Sequence, residues 1–138
     1  MIFHVITQKY EGLFLRINAN TDSDYDPETG GNDLIKSQYV ITEKLERGRW
    51  HDFRLQVIWD FQLIGFGFVA VDYKTSERDE YARVVSVIGP NMYNREGYLK
   101  WGIYKPAWQS GLDYNVTMRK VWHDNVRIGS SWDLVDPA

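Results

Sequence analysis

Residues 98–108 read Tyr-Leu-Lys-Trp-Gly-Ile-Tyr-Lys-Pro-Ala-Trp, and the stretch from Tyr98 to Tyr104 alternates as a β-strand does. Successive side chains of a strand point to opposite faces, so one face carries Tyr98, Lys100 and Tyr104. The other face carries Leu99, Trp101 and Ile103. The pattern predicts that the apolar face is buried in a core and that the polar, aromatic face is concave and exposed.

The polar face of this strand allows two interpretations. A cation beside a phenol favours the phenolate and lowers the pKa of a tyrosine from its usual ~10. Lys100 and a tyrosine could therefore form an acid or base with its electrostatic helper. Alternatively, the strand is simply amphipathic, with tyrosines that pack and a lysine that is solvated.

Strand patterns dominate the rest of the chain. Strands are predicted at residues 2–8, 12–18, 53–59, 66–73, 81–86 and 115–128. Gly, Asn, Asp or Pro, which favour turns, bound these segments. Residues 41–47 are the best candidate for a short turn of helix. Many short strands in a 138-residue chain predict one all-β domain over residues 1–138, a sandwich or jelly roll.

Composition limits the classes of partner. A net charge of -3 argues against general nucleic-acid or membrane-surface binding, because such proteins carry a basic surface. An acidic polysaccharide would need a locally basic cleft. Six Trp and nine Tyr exceed what a small core needs, so some of these rings could stack on sugars or belong to the sandwich core. The absence of cysteine excludes disulfides and cysteine chemistry.

The start of the chain is abrupt. Met1 directly precedes a predicted strand, and no signal peptide or membrane-length apolar run is visible. We therefore expect a truncated domain. A sandwich without its first strands would expose strand edges and apolar surface, which predicts self-association.

Five blocks resemble jelly-roll polysaccharide lyases, a group that includes glucuronan lyases, heparin-lyase-like enzymes and alginate lyases. Residues 98–104 are similar to the Tyr-Phe-Lys-x-Gly-x-Tyr strand of that group. The other similar blocks, in the same order along the chain, are residues 49–53, 65–74, 91–94 and 124–129. The resemblance covers roughly residues 1–136.

This resemblance implies a concanavalin-A-like β-jelly-roll sandwich of two antiparallel sheets. It also implies a secreted or periplasmic enzyme that cleaves an acidic, uronate-containing polysaccharide by β-elimination. Such lyases carry further strands, with an arginine-bearing motif, before the one that aligns with residues 1–8. The comparison therefore supports the expectation of a truncated lyase domain.

Elimination from a uronate needs donors that neutralise the carboxylate, a base for the C5 proton and an acid for the leaving O4. No metal is required if side chains neutralise the carboxylate. The resemblance assigns the acid to Tyr104 and allows the same residue to be the base. His4 is the second catalytic candidate: it stands where relatives carry Gln-x-His, and whether it replaces the Gln or the His stays open, as does a purely structural role. Lys100, ~13 Å from Tyr104 along the strand, is expected to bind substrate charge.

The remaining substrate-binding candidates are Tyr98, Arg16, Asn18, Tyr93 and Arg54. Arg16 and Asn18 alternate on one strand face, where they could meet a carboxylate or only water. Arg54 shares a face with Gln56, with the same alternatives. Tyr93 is a candidate only because of the resemblance, which implies that its segment lies near the cleft. His51 and His123 are expected to have structural or surface roles.

Asp22, Asp24 and Asp26 alternate in a loop that could hold a structural calcium ion, but the glycine spacing and the distal glutamate of an EF-hand are absent, so a solvated acidic loop is the favoured interpretation.

Three functions fit the sequence. The first is a polysaccharide lyase, and the second is a non-catalytic carbohydrate-binding module or degenerate lyase. The third is a glycoside hydrolase, which needs two suitably spaced carboxylates. Because Glu77, Asp79 and Glu80 cluster in a predicted hairpin tip, the hydrolase ranks last.

Overall fold

A computed structural model of the chain describes residues 12–26, 35–75, 77–96 and 120–131, and the backbone of residues 2–6. Six strands lie in the described part. They are β1 (Ile2–Ile6), β2 (Gly12–Ala19), β3 (Ile35–Thr42), β4 (His51–Ile58), β5 (Phe68–Thr75) and β6 (Ala82–Ile88).

The strands form two antiparallel sheets of three. Sheet A has the order β1-β2-β3 and sheet B the order β4-β5-β6, so neighbours in sequence are neighbours in space. Residues 43–50 connect the two sheets.

The two sheets share one hydrophobic core. Sheet A contributes Leu13, Leu15, Ile17 and Ile41, and sheet B contributes Val69, Val71, Tyr73 and Val85. From Leu15 to Ala19 of β2 the buried residues occupy alternate positions, which is the period-two pattern of a strand with one core face. Each fully buried Leu or Val contributes roughly 1.5–3 kcal/mol of transfer free energy. The predicted all-β sandwich of two antiparallel sheets is confirmed.

Most predicted strands lie within a few residues of the observed ones, but two predictions are wrong. Residues 41–47 are not helical: Ile41 and Thr42 end β3, and turns and bends follow. The i, i+4 spacing of Ile41 and Leu45 imitates a helix because both side chains pack against the same core. Residues 120–128 of the predicted strand 115–128 are irregular, and residues 115–119 lie outside the described part.

The chain divides into two compact units, Met1–Glu96 and Gly97–Ala138. All six strands belong to the first unit. In the second, residues 120–131 are exposed, and Asn125 adopts a left-handed φ of 52°. Within the described segments, no helix is long and apolar enough to span a membrane. A single domain over residues 1–138 stays a prediction.

Asn91 fixes the loop between β4 and β5. Its side-chain nitrogen donates to the carbonyl oxygen of Ile58 at 2.8 Å, and its side-chain oxygen accepts from the Asp60 amide at 3.3 Å. Asp60 in turn accepts hydrogen bonds from the amides of Gln62 and Phe66. The loop thus has a defined conformation.

Replacing Asn91 by alanine should destabilise the protein by ~2 kcal/mol, because buried backbone groups lose their partners. Asn91 is only 1% exposed, so water cannot easily replace the amide. Chemical denaturation measures the change. Asn94→Ala is the control, since Asn94 is exposed and donates one hydrogen bond to Ser23; equal losses in both variants would contradict the role of Asn91.

Candidate functional site

The outer face of sheet A carries a row of polar side chains. Because Leu13, Leu15 and Ile17 of β2 point into the core, the intervening Arg16 and Asn18 point away from it. The β2–β3 register pairs Arg16 with Gln38 and Asn18 with Lys36. Side chains of directly paired residues share a face, so these four positions form one polar surface, called here the β2–β3 face.

The β2–β3 face is cationic. Its described positions on β2 and β3 include Arg16 and Lys36 and contain neither Asp nor Glu. Arg16 is half-buried, and among the described residues it has no ion-pair partner. A partly desolvated guanidinium without a protein carboxylate can bind an external anion, and its planar fork matches a carboxylate in two hydrogen bonds.

Asn18 adds a second unusual feature to this face. Its side-chain oxygen is buried and has no hydrogen-bond partner. Most buried polar atoms in native proteins are paired, because an unpaired one costs roughly 1–3 kcal/mol. A ligand hydroxyl that donates to this oxygen would remove the cost.

The catalytic candidates are only partly placed. Tyr98, Lys100 and Tyr104 lie outside the described residues. His4 belongs to β1, where the register pairs it with Phe14, while Ile2 pairs with Arg16. Position 4 therefore lies on the strand that neighbours Arg16, two pairs along the ladder from the pair of Ile2 and Arg16.

Arg54 lies on the outer face of sheet B. Its guanidinium lies 3.9 Å from the centre of the Tyr81 ring, and the Lys74 ammonium lies 4.9 Å from the same ring. The two sheets face each other through the core, so their outer faces point in opposite directions. One groove cannot hold Arg54 together with Arg16 and Asn18.

The charges on the sheet B surface are largely matched within the protein. Asp72 forms an ion pair with Arg83, and Asp52 lies 3.7 Å from Lys74. The Asp72 carboxylate raises the pKa of Arg83 through its hydrogen bond. Two cations of this surface therefore already have a carboxylate partner, whereas Arg16 has none among the described residues.

Tyr93 packs at the end of β2. Its ring centre lies 5.4 Å from that of Tyr25, and the neighbouring Arg95 forms an ion pair of 2.8 Å with Asp26. Tyr93 is thus held near the loop that follows β2, the strand of Arg16 and Asn18.

The acidic loop after β2 is organised by its own side chains. Asp22 accepts a hydrogen bond from the Asp24 amide, and Asn20 accepts one from the Asp22 amide, both at 2.9 Å. Asp26 pairs with Arg95. Across the described segments, no group of three His, Cys, Asp or Glu side chains is arranged to hold a metal ion.

Sequence reasoning missed the pairing of His51 with Tyr73. The Tyr73 hydroxyl lies 2.7 Å from His51 Nδ1, and His51 Nε2 lies 2.8 Å from the Glu46 carbonyl oxygen. A carbonyl only accepts, so in the neutral imidazole Nε2 carries the proton and Nδ1 accepts from Tyr73. Tyr73 alternates in step with Val69 and Val71, so the sequence contains a signal that the phenol is buried. Its partner His51 lies on another strand, which the sequence does not show.

Burial raises the pKa of Tyr73, and the nearby Glu46 carboxylate raises it further. Arg78 and a hydrogen bond with Thr42 oppose this rise. Tyr73 is only 4% exposed, so desolvation of the phenolate is the main cause.

The raised pKa of Tyr73 predicts a loss of stability at alkaline pH. In the unfolded chain the phenol ionises near pH ~10, before it does in the folded protein, so its contribution is complete below that pH and is lost as pH rises towards the folded pKa. The free energy of unfolding of Tyr73→Phe should therefore fall less steeply above pH ~9 than that of the wild type. Parallel curves from urea unfolding would contradict this expectation.

Comparison with known protein families shows which family the chain belongs to. The model of a family described as Polysaccharide lyase matches residues 5–127. The chain belongs to this polysaccharide lyase family. Membership supports a lyase-type function in general and agrees with the two-sheet fold. No curated protein and no solved structure matches the chain.

Proposed function

We propose that this polysaccharide lyase cleaves an acidic, uronate-containing polymer by β-elimination, and that the β2–β3 face binds a uronate carboxylate. One observation carries the proposal: half-buried Arg16 has no ion-pair partner among the described residues. The buried, unpaired oxygen of Asn18 on the same face supports it.

The chemistry requires such a face. The C5 proton of a uronate becomes acidic when its carboxylate is neutralised, because negative charge builds up on that group as the proton leaves. Arg16 supplies a fixed positive charge, and Gln38, its partner in the register, can donate from its side-chain amide. Asn18 can accept a hydrogen bond from a sugar hydroxyl.

The reaction then needs two proton transfers. A base removes the C5 proton, the electrons of that bond form the C4–C5 double bond, and the C4–O4 bond breaks as an acid protonates O4. By resemblance to the lyase strand, Tyr104 supplies the acid and can also act as the base. His4 is the second candidate for proton transfer, and its place in the register next to β2 supports this role.

A non-catalytic carbohydrate-binding module or degenerate lyase is the alternative. Arg16 and Asn18 would then hold the polymer without turnover. The glycoside hydrolase remains last, because Glu77, Asp79 and Glu80 follow β5 in the connection to β6.

Elimination creates an unsaturated uronate that absorbs in the ultraviolet, so absorbance distinguishes the lyase from a binding module. We expect new absorbance with at least one of glucuronan, alginate and a heparin-like polymer, and none with a neutral glucan. Binding of an acidic polymer without new absorbance would favour the alternative function. Release of reducing ends without new absorbance would favour the hydrolase.

A further inference from the structure

A polar cleft of about 310 Å³ lies where sheets A and B meet at the ends of β3 and β5. Thr42, Tyr73 and Thr75 line it from the strands. Because Tyr73 belongs to the shared core, this cleft is separate from the outward β2–β3 face. Its volume is at the small end of the ~300–1,000 Å³ of ligand pockets, which suits a single sugar unit.

The rim of the cleft is positively charged. Lys44 and Arg78 line it, and neither has an ion-pair partner in the described part of the chain. Its two carboxylates share one arginine: Arg49 lies 2.6 Å from Glu77 and 3.9 Å from Glu46. Three cations, Lys44, Arg49 and Arg78, face two carboxylates, so one positive charge is left in excess for a ligand at the rim.

The interior of the cleft offers hydroxyl oxygens. Tyr73 lies next to His51 Nδ1, which accepts its proton in the neutral imidazole, and Thr42 donates to the Lys44 carbonyl oxygen at 3.0 Å. Each hydroxyl oxygen has two lone pairs, and the hydrogen bond between Thr42 and Tyr73 uses only one of these four, so both oxygens can still accept from a ligand. Acceptors inside and cations at the rim match a molecule with hydroxyl donors and one carboxylate.

We propose that this cleft is a second binding site, specific for a single uronate unit such as a free monosaccharide or the end of a chain. The choice of a uronate among hydroxylated carboxylates rests on the proposed function. The cation pair and the acceptors inside the cleft do not depend on it.

The test is calorimetric titration of the full chain with sodium glucuronate, glucose and sodium acetate. Because hydrogen bonds to charged groups each contribute roughly 1.5–3 kcal/mol, the double variant Lys44→Gln, Arg78→Gln should bind glucuronate at least tenfold more weakly. Arg83→Gln, which removes an exposed cation on the outer face of sheet B, is the matched control and should change affinity less than about twofold. Glucose and acetate should bind at least tenfold more weakly than glucuronate, because glucose lacks the carboxylate and acetate lacks the hydroxyl donors.

The His51 ring provides a local signal. Glucuronate should shift its nuclear magnetic resonances, because Tyr73 connects the imidazole to the cleft. Glucuronate affinity that is unchanged in the double variant, or acetate that binds as tightly as glucuronate, would overturn the proposal. So would loss of the affinity in Arg16→Gln with retention in the double variant.

The experiments distinguish an error in the proposed binding site from an error in the proposed function. Glucuronate binding that depends on Lys44 and Arg78, without elimination of any acidic polymer, supports the cleft and rejects the lyase activity. Elimination of an acidic polymer, with no glucuronate binding, rejects the cleft alone.

Discussion

Tyr104→Phe should lower the rate of polymer elimination by roughly 10² or more, the loss typical when a general acid or base is removed. Phenylalanine keeps the ring and removes only the transferable proton, so polymer binding should survive. The measurement is the initial rate of unsaturated uronate formation at saturating polymer, together with the affinity for the polymer.

Lys100→Ala is the comparison for Tyr104→Phe. It should mainly weaken binding, and its effect should shrink as salt rises, because salt screens an exposed charge. Unchanged elimination in Tyr104→Phe would remove this tyrosine from the mechanism. Equal, modest losses in both variants would favour a plain binding surface.

Arg16→Gln should reduce kcat/KM for an acidic polymer by roughly 10²–10³, which is the loss seen when one donor to a developing negative charge is removed. Glutamine keeps polarity and approximate length but cannot neutralise a carboxylate. The fold should be retained, because Arg16 has no ion pair among the described residues and points away from the core.

Arg83→Gln is the matched control for Arg16→Gln, since Arg83 is a cation on the outer face of sheet B. Its exposed ion pair with Asp72 contributes about 0–1 kcal/mol at most to stability, so elimination should stay near the wild-type rate. A larger loss of kcat/KM in Arg83→Gln than in Arg16→Gln would indicate that the substrate binds to sheet B instead of the β2–β3 face.

The all-β fold was predictable because period-two patterns depend on local sequence. The alternation of Leu13, Leu15 and Ile17 identified β2 and its buried face directly. β3 was missed even though Lys36, Gln38 and Val40 alternate with Ser37, Tyr39 and Ile41, because the half-buried face of β3 is less apolar. The extra residue at Ile41, where the register shifts, also interrupts the pattern.

The candidate site was only partly predictable, because sheet faces are defined by pairing between distant segments. Alternation placed Arg16 and Asn18 on one face, but it could not tell that Arg54 lies on the outer face of the other sheet. The contact between His51 and Tyr73 crosses 22 positions in sequence and was invisible for the same reason. Gln38 and Lys36 could be assigned to the site only from the β2–β3 register.

The central claim is that Arg16 acts on the carboxylate of the substrate. The most direct measurement compares kcat/KM of wild type and Arg16→Gln on an acidic polymer and on the same polymer with its carboxylates methyl-esterified. An ester has no charge to neutralise, so we expect a loss of roughly 10² or more on the acid form and less than about tenfold on the ester. An equal loss on both polymers would contradict the claim.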